Sequence, residues 1–154
     1  PELKVQTLAP DADLDEVRGG GLALSPQWER LSGAVAAYPG LTIAALNGTV
    51  AGGAMGMVLA CDIRLAVEGA KFFYPVMKLG YLPQPSDPKR MAGLVGPSRA
   101  KLILMGGQKI TTQEALAFGL IDRIADDPVA TAREIGADVL AAEADHVDAI
   151  KAMI

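Results

Sequence analysis

TIAALNGTVAGGAMGMVLACD, Thr42 to Asp62, is the stretch whose reading decides the fold. Thr42 to Leu46 is a continuous apolar run bounded by turn residues, which predicts a strand buried on both faces. Asn47-Gly48 turns the chain, and Gly52-Gly53 leads into a helix of small and apolar residues reaching Cys61. Glycines at such a junction let the backbone approach a ligand closely, and the first N–H groups of the helix have no partner within the helix. The helix dipole adds partial positive charge there. This hardware suits a developing oxyanion or a phosphate, although tight packing alone also accounts for it. It is not a P-loop, because no Lys-Ser/Thr pair follows the glycines.

Ahead of this stretch, Lys4 to Leu8 reads as a short strand and Gly19-Gly20-Gly21 as a flexible tract. Ser25-Pro26 opens a helix as cap and first-turn proline; Trp28, Leu31, Val35 and Ala36 recur behind it as an inward face. Pro39-Gly40 ends it. After the stretch, Asp62 to Val67 and Lys71 to Tyr74 are expected strands. The pattern turns helical at Pro88, and Gly96 divides two short helices. Thr111 and Glu114 form a capping box, Gly119 closes that helix, and Leu120 to Ile124 is expected to return as a strand. Asp127-Pro128 starts an Ala-rich helical region running to Ile154. Strands alternating with helices predict an α/β protein with largely parallel strands.

Composition narrows the function. The 154 residues are 51% hydrophobic and 21% charged, enough apolar material for a sizeable core. The 14 basic residues against 18 acidic ones give a net charge of -4, with no basic face for nucleic acid or a polybasic membrane anchor. Cys61 and His146 are the single cysteine and histidine, so a thiolate cage, a multi-histidine metal site and an intrachain disulfide are excluded. No apolar run is long enough to span a bilayer, and PELKVQTL lacks the order of a signal peptide. A cytoplasmic, Ala- and Gly-rich globular protein without a metal site is the expectation.

Three segments, the first overlapping the opening stretch, carry a resemblance: NGTVAGGAMGMVLACDIRLAVEGAKFFYP, LGYLP, and LVGPSRAKLILMGGQKITTQEALAFGLIDRI. In this order they resemble the crotonase (enoyl-CoA hydratase/isomerase) superfamily from about Leu3 to Ala125. The resemblance implies a spiral of ββα units over residues 1–126 and a helical oligomerisation segment over 127–154, giving a homotrimer or hexamer. It also implies family strands ahead of Pro1 and a last helix beyond Ile154. The implied substrates are acyl-CoA thioesters, with coenzyme A arriving as part of the substrate and no permanently bound cofactor. The implied reaction is a lyase, isomerase or hydrolase step of the fatty-acid type, through an enolate held by two backbone N–H groups. One donor falls on Gly53, beside Gly52. The other falls in the loop matched by Ala12, Asp13 and Leu14, where Pro10 has no N–H to give.

The family's two hydratase glutamates correspond to Gly56 and Val76, neither of which moves a proton. Ordinary hydration is therefore disfavoured, and a non-catalytic acyl-CoA-binding relative is the alternative. Replacement groups are few. Asp87, before Pro88, reads first as a helix cap with a lowered pKa and second as a substitute acid or base. Tyr74 and Tyr81 flank the second acid position and read as packing residues or as phenols donating to substrate. Lys78 faces solvent or a CoA phosphate. Met55 and Met57 line the core or the acyl pocket. Asp62 is expected to hold a helix-to-strand junction, Cys61 to be a small buried hydrophobe, and His146 to lie at a surface or interface.

Overall fold

The computed structural model describes residues 26–80 and 82–154. Helix α1 (Pro26–Ala36) precedes strand β1 (Ile43–Leu46), β2 (Val50–Ala51) and helix α2 (Ala54–Ala60). The same order then repeats as β3 (Ile63–Ala66), β4 (Lys71–Phe73) and the single turn α3 (Val76–Leu79). β1 pairs with β3 in parallel, Ile43 opposite Ile63, and β2 pairs with β4 in parallel, Val50 opposite Phe72. Each ββα unit thus lays its first strand on one sheet and its second on the other. This is the spiral that the resemblance implies.

Two helices follow, α4 (Asp87–Val95) and α5 (Pro97–Leu104), and then β5 (Ile110–Thr111), α6 (Thr112–Phe118) and β6 (Arg123–Ile124). β6 extends the first sheet to the order β1-β3-β6, all parallel, while β5 joins β4 antiparallel in the second. Met55, Leu65, Phe72, Met91, Ile103 and Ile110 are fully buried between the sheets and helices. Three short helices, α7 (Pro128–Ile135), α8 (Ala137–Ala141) and α9 (Ala144–Ala152), end the chain.

The capping signals at Thr111, Gly119 and Asp127 hold. Thr111 accepts from the Glu114 N–H at 3.2 Å while Glu114 accepts from the Thr111 N–H at 2.8 Å. Gly119 sits at φ 81°, a conformation that a side chain would strain. The Asp127 carboxylate accepts from the N–H groups of Val129 and Ala130. Four readings need correction. β1 is half-buried, because it lies at the end of its described sheet, not between two strands. In α1, Ser32 is buried and Leu31 is 46% exposed, so the inward face is rotated from the apolar spacing. Leu120 and Ile121 are no strand; their N–H groups fold back to the Ala115 carbonyl beyond Gly119, and pairing begins only at Arg123. Tyr74 lies beyond the end of β4. The expected strand Lys4–Leu8, the Gly19–Gly21 tract and the Ser25 cap lie outside the described residues.

Candidate active site

The turn between β2 and α2 has the geometry its glycines permit. Gly52 stands at φ 55°, and its N–H donates to the Phe73 carbonyl at 3.3 Å, tying the turn to β4. Gly53 follows at φ −58° as the residue before α2, and its N–H donates to no described residue. The Trp28 indole of α1 lies against it, 3.5 Å from where a Cβ on Gly53 would stand. Ala12, Asp13 and Leu14, the matched positions of the other donor loop, lie outside the described residues, as does Tyr81.

One turn further along α2, Gly56 meets Asp87. A Cβ at position 56 would stand 2.8 Å from Asp87 Oδ1 and 3.0 Å from Oδ2. Position 56 must therefore be glycine while the carboxyl is where it is. Asp87 is fully buried, and this overturns the cap reading. Ser86 is the residue before the helix, and Asp87 already belongs to its first turn, with a side chain directed to α2 and not back to the helix N–H groups. Capping falls instead to Glu29 of α1, whose carboxylate accepts from the Ser86 N–H at 3.3 Å. Arg90 donates to Ser86 Oγ at 2.7 Å and Ser32 Oγ at 3.0 Å, fastening α1 to α4.

Asp87 Oδ2 accepts the Tyr74 hydroxyl at 2.8 Å. Asp87 Oδ1 has no hydrogen-bond partner among the described residues. Burial lifts the Asp87 carboxyl above the ordinary carboxylate range; the Tyr74 bond opposes it, the Glu29 charge reinforces it, and Arg90 opposes it. The direction is opposite to that expected of a cap. The Tyr74 phenol is raised too, by its own burial and then by the Asp87 charge, so it keeps its proton. Its bond runs to Asp87, and its oxygen accepts the Gln84 N–H at 3.3 Å.

Val76 is buried at the start of α3 and brings no proton-moving group. Lys78 is exposed on the same turn. Met55 belongs to the core, and Met57 is half-buried. Cys61 donates to the Met57 carbonyl at 3.4 Å and its thiol is raised by burial, which suits an inert small side chain. Asp62 holds the junction: it accepts from the Thr42 N–H and hydroxyl and forms an ion pair with Lys151 at 2.7 Å. His146 lies exposed on α9, beside an apolar cavity of about 710 Å³ lined by Leu41, Ile63, Val147 and Ile150. The sequence reading placed Trp28 only on an inward helix face and passed over Glu29 and Gln84. The signal that finds the pair is joint: a side chain absent at 56 and a carboxyl supplied at 87.

Two sheets wound from parallel ββα units, with the helices packed on them, define an α/β protein of the crotonase fold. A family model described as enoyl-CoA hydratase/isomerase matches residues 13–154, and the chain belongs to that family. It is similar to the short-chain-enoyl-CoA hydratase of Clostridium acetobutylicum, 37% identical over 95 residues, covering 60% of this chain and 36% of that protein. Among solved structures it resembles DspI of Pseudomonas aeruginosa, with a TM-score of 0.79 and 27% identity over 92% of this chain and 57% of that one. An enoyl-CoA hydratase/isomerase family protein of Hyphomonas neptunium gives 0.78 and 32% identity over 96% and 59%. The chain thus spans well under two thirds of the relatives it matches. No helix among the described residues is long and apolar enough to cross a membrane.

Proposed function

We propose that this chain binds an acyl-CoA thioester and stabilises its enolate, with the Gly53 N–H on the thioester oxygen and Asp87 as the proton-carrying group. The carrying observation is the buried Asp87 carboxyl seated over Gly56, its Oδ1 without a hydrogen-bond partner among the described residues, three residues on from Gly53. A carboxyl raised by burial keeps its proton to higher pH and so serves as an acid, and as a base once the proton has left. In the protonating direction the Oδ1–H bond breaks and its proton goes to the substrate α-carbon. The enolate carbon–carbon electron pair forms the new C–H bond, the thioester carbonyl re-forms, and Asp87 is left as carboxylate. The reverse step removes an α-proton into the enolate, whose oxygen the Gly53 N–H stabilises.

This reading favours a lyase or isomerase step needing one proton carrier over hydration by paired glutamates, since positions 56 and 76 are glycine and valine. Coenzyme A enters and leaves with the substrate. The reading extends to assembly: Leu140 on α8 and Ile150 on α9 are exposed and apolar, as a trimer or hexamer contact would need. Sedimentation at micromolar concentration tests that part, and a stable monomer would contradict it.

The catalytic part is tested by exchange of the α-protons of butyryl-CoA with D2O, read by mass spectrometry. Gly53→Pro removes the N–H while its φ of −58° already suits proline. Loss of one such donor costs roughly 2.7–4 kcal/mol of transition-state binding. Unchanged exchange in a folded Gly53→Pro chain overturns the assignment. Hydration of crotonyl-CoA should be slow, each missing acid/base group being worth on the order of 10²–10⁴-fold. No exchange at all in the unmodified chain, with acyl-CoA still bound, would leave a non-catalytic acyl-CoA binder.

A further inference from the structure

We propose that Tyr74 is a positioning residue for Asp87, engaging Oδ2 so that Oδ1 is the carboxyl oxygen left for a bound thioester. The inference rests on the acid/base reading of Asp87 and deepens it. A free carboxyl presents either oxygen and carries its proton on either. Here the two oxygens are made unequal. Oδ2 holds the Tyr74 hydroxyl at 2.8 Å, whereas Oδ1 is buried with no hydrogen-bond partner among the described residues. The phenol cannot turn away easily. It is 4% exposed at the end of β4, and its oxygen accepts the Gln84 N–H, so its single proton is committed to Asp87.

Tyr74 therefore acts through Asp87 and does not itself give a proton to the ligand. Its donated bond favours the charged carboxyl, as does Arg90 on α4, while burial and Glu29 on α1 favour the neutral one. Burial is the largest of these influences, so the Asp87 carboxyl stays above the ordinary carboxylate range with the Tyr74 bond in place.

The test uses butyryl-CoA exchange in D2O together with ¹³C NMR titration of the Asp87 carboxyl in the ligand-free chain, assigned by comparison with Asp87→Asn. Tyr74→Phe keeps the ring and removes the donor. The exchange kcat should fall roughly tenfold to a hundredfold, with KM within about twofold, as for a misplaced catalytic group. The pH limb set by Asp87 and its ¹³C midpoint should both move to higher pH. Replacing Tyr74 with 3-fluorotyrosine, a stronger donor, should move the midpoint the other way; this carries the test if Tyr74→Phe does not fold. Unmoved midpoints with kcat within about twofold overturn the positioning role, even where Asp87→Asn abolishes exchange. Wild-type exchange in Asp87→Asn overturns the acid/base reading and this inference with it.

Discussion

Asp62 and Asp87 both stand at helix boundaries, and the protein treats them in opposite ways. The Asp62 carboxylate is 30% exposed and accepts from Thr42 twice and from Lys151. Burial pulls its pKa up, but the Lys151 and Thr42 hydrogen bonds outweigh it and hold the group below the ordinary carboxylate value. Asp87 is fully buried, accepts one phenol, and is held above that value. A carboxylate whose partners are all supplied by its own fold has nothing left to offer a ligand. One that is desolvated, with an oxygen unpartnered among the described residues, costs stability.

The difference can be broken most sharply at Asp87 itself. Asp87→Asn retains an oxygen for the Tyr74 hydroxyl but carries no exchangeable acid proton. Butyryl-CoA exchange should drop by about a hundredfold or more, on the order of the 10²–10⁴ range for acid/base groups, at unchanged or higher Tm. Exchange within a few-fold of the parent would reduce Asp87 to a structural residue.

Gly56→Ala comes next. Its Cβ has to displace Asp87 Oδ1 from 2.8 Å, and Asp87 belongs to a buried helix start, so the strain should cost roughly 1–3 kcal/mol. Exchange should fall along with stability, which urea unfolding and the exchange assay read separately. An alanine tolerated at both would mean that the carboxyl is not tightly seated there.

The pH dependence separates the two aspartates by sign. The raised Asp87 makes the folded chain bind more protons than the unfolded one, so its contribution is complete below the ordinary carboxylate pKa and is lost as pH rises through the folded value. Asp62 contributes above the ordinary value and loses that contribution as pH falls through its lowered one. Relative to the parent, Asp87→Asn should flatten the decline of Tm with rising pH, and Asp62→Asn should flatten its decline toward acid. Slopes of the same sign in the two variants would contradict the assigned environments. The smallest effect is the loss of the Asp62–Lys151 pair at neutral pH, about 0.2–1 kcal/mol and weaker in high salt, with exchange unaffected.

Much of this was legible in the chain. Turn residues between apolar runs located β1, the glycine turn and α2, because Gly52 needs a positive φ and the helix after it needs small residues. The Thr111–Glu114 box and the Asp127 cap are contacts within three residues, which sequence spacing reports directly. Asp87 was misread for the same reason. Asp before Pro is a local capping signal, but Glu29, 57 residues before Ser86, had already supplied the cap. The half-burial of β1, the exposure of Leu31 and the two-residue length of β6 likewise depend on what lies alongside each element and not on its own pattern.

By itself the sequence determined the alternation of strands and helices, the glycine turn, the Thr111 and Asp127 caps and the family, all of which rest on near-neighbour chemistry or on motifs in a fixed order; β2, α3 and β5 were not read from it. It also determined that positions 56 and 76 lack a carboxyl. Only the tertiary structure decided that Asp87 fills the space over Gly56 and that Tyr74 turns one of its oxygens aside. Those residues lie 31 and 13 positions apart, and they meet because α2, α4 and the end of β4 pack around a single buried point. A carboxyl's proton affinity is set by the water it loses and the charges it faces, and both belong to that packing.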